Sequence, residues 1–182
     1  MKIHTIFFCI LLAAAPLAAA VTDDDGYNEV TIRPSDIPRD APRFESYPAK
    51  PYTGKSAKPD LNSDPVTKMY RTKINEWSKE RVNFAGHYIL ATWGCGTNCT
   101  QFAIIDAITG KVYHPTEVTT NDFTNVHHEL LDGAIEFRLD SNLLVLIGMP
   151  EEDTARRGIS YYVWNGTQLS LVRFVHKAWY KD

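Results

Sequence analysis

The sequence predicts an α+β domain that is mostly β: an antiparallel meander sheet of about seven strands, able to curl toward a barrel. One N-terminal amphipathic helix packs on that sheet. Three observations carry this reading. From residue 84 onward, short β-prone runs alternate with turn signals. A single helical period precedes them. Asn165-Gly166 stands between two β-rich runs, the strongest short-range hairpin signal there is.

The elements follow in chain order. Lys2 and the apolar run 6–17, followed by Ala18-Ala19-Ala20, form a secretory signal over residues 1–20, cut after Ala20. The run is too short for a membrane span, which needs roughly 20 apolar residues. The chain is therefore expected to be exported, with no membrane span. Cleavage removes Cys9, so Cys95 and Cys99 remain as an even pair suited to an oxidising compartment. The formal charge of −3 becomes −4 once Lys2 leaves with the signal. That balance offers nucleic acid no electrostatic attraction.

Residues 21–60 read as a proline-rich extended arm, because Pro34, Pro38, Pro42, Pro48, Pro51 and Pro59 oppose both helix and strand ladders. Phe44, Tyr47 and Tyr52 are its candidate docking side chains. A single domain is expected over 61–182. Its helix starts at Asp64 as N-cap with Pro65 in the first turn, and Val66, Met69, Tyr70, Ile74 and Trp77 form the apolar stripe. Strands are expected at 87–93, 101–106, 111–114, 135–139, 143–149, 160–164 and 168–175. The run 143–147 is apolar at every position, so that strand is expected to be central and covered on both faces. One cover is the helix; the other is the arm or the sheet curling on itself.

The sharpest candidate segment is Trp93-Gly94-Cys95-Gly96-Thr97-Asn98-Cys99, between the first two strands. Glycines at 94 and 96 allow a tight loop, so Cys95 and Cys99 are expected to close a disulfide clamp. Competing readings are a thiol-redox pair, a copper site of Cys95 and Cys99 with His87 or His114, and a cysteine nucleophile with a histidine base. Strands flank both cysteines, whereas a reactive thiol usually sits at a helix start. His127-His128-Glu129 is a weaker metal candidate, because adjacent residues point apart in regular structure. The loop holding Glu151, Glu152, Asp153, Arg156 and Arg157 is a candidate charged contact leaving a rigid hairpin. With Trp93, Thr97 and Asn98 it makes the expected binding surface.

The segments Asn83-Phe84-Ala85-Gly86-His87-Tyr88, Trp93 to Cys99 and Thr109-Gly110-Lys111-Val112-Tyr113 resemble a group of small exported bacterial proteins with no assigned activity. The resemblance covers about residues 64–175 and implies a periplasmic location and a recurring framework around the cysteine loop. No phosphate loop, nucleophile elbow or paired carboxylates occur. The expected function is a non-catalytic periplasmic binding protein without cofactor, of the inhibitor or immunity type, whose partner is another protein of the cell envelope. Alternatives are thiol-redox or copper handling through Cys95 and Cys99, and hydrolysis of envelope polymers.

Overall fold

A computed structural model describes residues 30–178. The signal over 1–20, its cleavage point and residues 21–29 of the arm lie outside the described residues. The described chain is a mostly β, α+β fold built on one eight-stranded antiparallel sheet. The strands are β1 (Tyr88–Gly96), β2 (Cys99–Asp106), β3 (Val112–Tyr113), β4 (Thr120–Asp122), β5 (Ile135–Phe137), β6 (Leu143–Pro150), β7 (Gly158–Trp164) and β8 (Leu169–His176). The path runs β1-β2-β4-β6-β7-β8, with β3 added to β2 and β5 to β6. It ends on β1 at one side and β8 at the other, so the sheet curls but does not close.

Seven of the strands coincide with the expected runs. β4 was not anticipated, because Thr-Asn-Asp has little strand propensity. Its hold is a side chain. Buried Asn121 donates from Nδ2 to the Ile147 carbonyl at 3.0 Å and to the Ala134 carbonyl at 3.1 Å. Beside it, Gly148 faces Gly158 across β6 and β7, both at positive φ (145° and 147°). A Cβ at Gly148 would strike the Asp122 carbonyl, so glycine is what lets β4 approach β6.

Period-two alternation sorts the apolar residues into layers. Leu90, Phe102, Ile104, Leu144, Leu146, Tyr162 and Trp164 face one another inside the curl. Ile89, Ala91, Ala103 and Ile105 point outward from β1 and β2 and meet Ile74. Leu143, Val145, Ile147, Ile159 and Tyr161 point outward from the other half and meet Ile32, Ala41, Phe44 and Tyr47 of the arm. β6 is thus covered on both faces as expected, by the curl on one side and the arm on the other. The helix covers β1 and β2 instead.

That helix is two pieces, α1 (Pro65–Met69) and α2 (Arg71–Trp77), broken at Tyr70 (φ −98°, ψ 14°). Asp64 caps α1 as predicted, accepting from the Val66 and Thr67 amides at 2.9 Å each. The expected stripe is only half right. Met69 is 74% exposed and Val66 40%, whereas Thr67 is fully buried. Polar bonding, not apolarity, turns α1: the Thr67 hydroxyl donates to Asp64 Oδ2 at 2.5 Å and lies 3.0 Å from His114 Nε2.

The arm docks along its described length. Two 3₁₀ turns (Pro34–Asp36 and Phe44–Ser46) shape it, the first opening on a proline, and backbone bonds join Tyr52 to Gly86, Ala57 to Ala107 and Asp60 to Gly110, each at 2.8 Å. A Cβ at Gly86 or Gly110 would collide with the carbonyl of Lys50 or Lys58, and both glycines hold φ near 80°. Ion pairs Asp36–Lys177 (2.8 Å), Asp40–Arg173 (3.0 Å) and Glu45–Arg138 (2.7 Å) tie the first half. Phe44 and Tyr47 pack as expected, while the Tyr52 hydroxyl turns back to the Lys55 carbonyl.

Candidate functional site

The cysteine segment is the turn of the β1–β2 hairpin, and Cys95 and Cys99 form a disulfide with Cα atoms 5.2 Å apart. The expected role of Gly94 is not seen: it is ordinary strand, and the left-handed residue is Asn98 at φ 55°. Asparagine tolerates that conformation. Thr97 and Asn98 are exposed at the tip, as is Cys95, while Cys99 is buried. Trp93 is half-buried against Tyr70, ring centroids 5.1 Å apart, with its indole N–H enclosed. It is therefore a packing residue more than a contact surface.

The copper set of the sequence reading does not assemble. Both sulfurs are committed to each other. His114 serves the α1 cap: because Thr67 gives its proton to Asp64, His114 Nε2–H is the donor to Thr67. Burial lowers the His114 pKa, partly opposed by the Asp64 charge. His87 stacks on Tyr88 at 4.0 Å and faces Asp106 at 3.7 Å. Asp106 in turn caps its own turn through Ile108, Thr109 and the Thr109 hydroxyl.

The two adjacent histidines sit where a connection enters a short helix. His127 is the N-cap of α3 (His128–Leu131) with extended angles, φ −61° and ψ 142°, so the chain turns between the two rings. Their ring centroids lie 4.1 Å apart with the planes tilted by 40°. Adjacent residues diverge only inside regular structure, and this pair straddles a boundary.

The charged loop between β6 and β7 divides. Glu151, Glu152 and Asp153 are exposed. Glu151 and Glu152 both hold left-handed angles, φ 58° and 56°. Such backbone costs energy in non-glycine residues, and Glu151 offsets it by accepting the Thr119 and Thr120 amides at 2.5 and 2.9 Å. Burial would raise its carboxyl pKa, but those bonds outweigh it and the pKa is lowered. Asp153 caps the 3₁₀ turn Thr154–Arg156. The two arginines are not surface charges. Arg156 donates to the Glu117 carbonyl at 3.1 Å and the Tyr162 hydroxyl at 2.8 Å, and Arg157 is fully buried.

A hollow of about 500 Å³ forms a shallow depression where α2 ends, lined by Glu76, Trp77, Glu80, Arg81, Val82 and Asn83. Trp77 and Asn83 already spend their polar atoms on the adjoining strand edge. The Asn83 side chain accepts from the Leu90 amide at 2.7 Å and donates to the Leu90 carbonyl at 3.3 Å. Trp77 Nε1 donates to the Thr92 carbonyl at 2.8 Å. Asn83 and Phe84 amides reach the Tyr88 carbonyl, and the Tyr88 amide the Phe84 carbonyl. The outer edge of β1 is thereby filled from Tyr88 to Thr92.

The opposite edge is open. Among the described residues, β8 makes backbone bonds only to β7. A register shift opposite Tyr161 and Tyr162 bulges β8, leaving Leu171 55% and Val172 45% exposed side by side. The bulge re-aims side chains that alternation would have hidden. The acidic loop flanks one end of this edge: Gly158 pairs with His176, and the Lys177 amide donates to the Arg157 carbonyl at 2.9 Å. Sequence reasoning missed β8 as a surface, although Leu171-Val172 breaks its alternation.

Comparison with protein families, curated proteins and solved structures returned no match. No described helix is long and apolar enough to cross a membrane.

Proposed function

We propose that this protein is an exported, non-catalytic binding protein that captures another protein of the cell envelope at the β8 edge. It acts as an inhibitor or immunity-type partner of an envelope enzyme or toxin. The observation that carries this reading is the open, apolar edge of β8 in a sheet whose other edge is filled by side chains. An unpaired edge offers N–H and C=O groups to an incoming extended segment, and outward apolar side chains add affinity. Leu171 and Val172 would supply the apolar contact, with Glu152 and Asp153 favouring a partner segment that carries positive charge at that end. The expected signal segment and the Cys95–Cys99 disulfide support an oxidising location outside the cytoplasm.

The test is site-specific photo-crosslinking in cells. A crosslinker at position 171 should give a discrete adduct with one envelope protein, and the same crosslinker at exposed position 69 should not. Absence of a position-171 adduct, or an identical pattern at both positions, would overturn the reading.

A further inference from the structure

We infer that His127, His128 and Glu129 form a binding site for one divalent transition-metal ion of the zinc, copper or nickel class. The ligand atoms of the three residues lie within 4.8 Å of one another. Two imidazoles and a carboxylate are the donor set such ions prefer, and three protein ligands leave positions for water or a further ligand.

One ligand is already held and the others can adapt. His127 is fixed by its backbone: its amide donates to the Ile32 carbonyl at 2.9 Å, while the Ile32 amide donates to the Asn125 carbonyl at 2.8 Å. Val126 and Leu130, on either side of the cluster, are buried in the layer beneath the arm. His127 Nδ1 accepts a long hydrogen bond from the Glu129 amide at 3.4 Å, which an ion bound at Nδ1 would replace, and the Glu129 carboxylate oxygen Oε2 stands 4.0 Å away. Metal–ligand bonds of about 2.0 to 2.2 Å place two ligands of one ion at most about 4 Å apart. His127 and Glu129 already meet that spacing. His128 and Glu129 are exposed, so rotating their side chains completes the set without moving backbone.

The site is independent of the disulfide and of the β8 edge, so it stands or falls separately from the proposed partner capture. It adjoins the isolated parallel bridge between Ile32 of the arm and Val126. A bound ion would therefore brace that junction.

The experiment uses tag-free chain purified after export, titrated with Zn²⁺ by calorimetry and with Cu²⁺ by electron paramagnetic resonance. The expected result is one ion per chain and nitrogen hyperfine structure from imidazole. His128→Ala should weaken binding by at least about tenfold, Glu129→Gln should weaken it less, and exposed His176→Ala should leave it unchanged. All three positions are exposed, so folding is preserved. Unchanged affinity in His128→Ala, equal loss in His176→Ala, or no saturable uptake of either ion would overturn the assignment.

Discussion

The two edges of the sheet are finished in opposite ways. Along β1, the outward amides and carbonyls of Tyr88 and Leu90 and the Thr92 carbonyl, which would invite another strand, are met by Asn83, Phe84 or Trp77. Along the β8 backbone edge no comparable cover exists among the described residues, where the arm reaches only the Arg173 side chain through Asp40, and the bulge turns Leu171 and Val172 outward instead of burying them. Natural sheets protect their edges against unwanted pairing. On the proposed reading, protection lies where contact is unwanted and is withheld where a partner docks. The bulge has a second effect: it limits regular pairing to short segments on either side, which favours a partner whose side chains fit Leu171 and Val172 over indiscriminate strand addition.

The comparison can be broken most directly at the open edge. Leu171→Lys with Val172→Lys should abolish the position-specific partner adduct while shifting stability by no more than about 0.5 kcal/mol, since both side chains are exposed. Crosslinking from a neighbouring β8 position, with urea denaturation in parallel, separates the two effects. Persistence of the adduct would mean that the edge is not the contact.

Opening the closed edge should do the reverse. Asn83→Ala leaves the amide of fully buried Leu90 without its acceptor, at a cost of about 2 to 3 kcal/mol. Urea denaturation measures the loss, and sedimentation at rising concentration should reveal new self-association through β1. Partner capture at β8 should persist in the folded fraction. A stability change below 0.5 kcal/mol would mean that Asn83 merely decorates the edge.

The disulfide belongs to the same side. Cys95→Ser with Cys99→Ser frees the hairpin tip and should lower stability by about 2 kcal/mol, the chain-entropy value for so short a loop. Capture at β8 should be unaffected. Loss of capture without loss of stability would return the cysteine turn, with Thr97 and Asn98, to the binding surface.

How far these edges could be read from the residues follows from the range of the interactions. Strands, the Asn165-Gly166 hairpin and the Asp64 cap are local and were legible. The fate of 143–147 was legible as burial, because an apolar run with no alternation has no solvent face. The order of strands is not local, and so neither edge could be named in advance. Asn83 looked like part of a motif, yet its role appears only when β1 lies beside it. Arg157 read as a loop charge because its burial depends on β7 and β8. Thr67 lies outside the apolar stripe, and its place inside the fold comes from His114, 47 residues away. Hydrogen-bonded burial of polar groups is what apolar periodicity cannot see.

Asp64 gives the smallest and most specific test of that point, because α1 leads into α2 and α2 seats Trp77 on β1. Burial pushes the Asp64 carboxyl up, but hydrogen bonds from the Thr67 hydroxyl and amide and from Ser63, aided by the His114 charge, hold it at about 2 against 3.8. A carboxyl depressed in the folded state stabilises fully above the unfolded value and loses that contribution as pH falls toward the folded value. Asp64→Ala should therefore cost about 1 kcal/mol at pH 7, the usual loss of an N-cap, solvent screening keeping it below the full linkage value. The deficit relative to the parent should shrink below about pH 4, be mostly gone by about pH 2 and vanish only below it. Urea denaturation at a series of pH values measures it, and hydrogen exchange should show faster opening around Trp77 with β8 unchanged. A deficit that stays constant down to pH 2 would assign the effect of Asp64 to neutral packing and detach the cap from the closed edge.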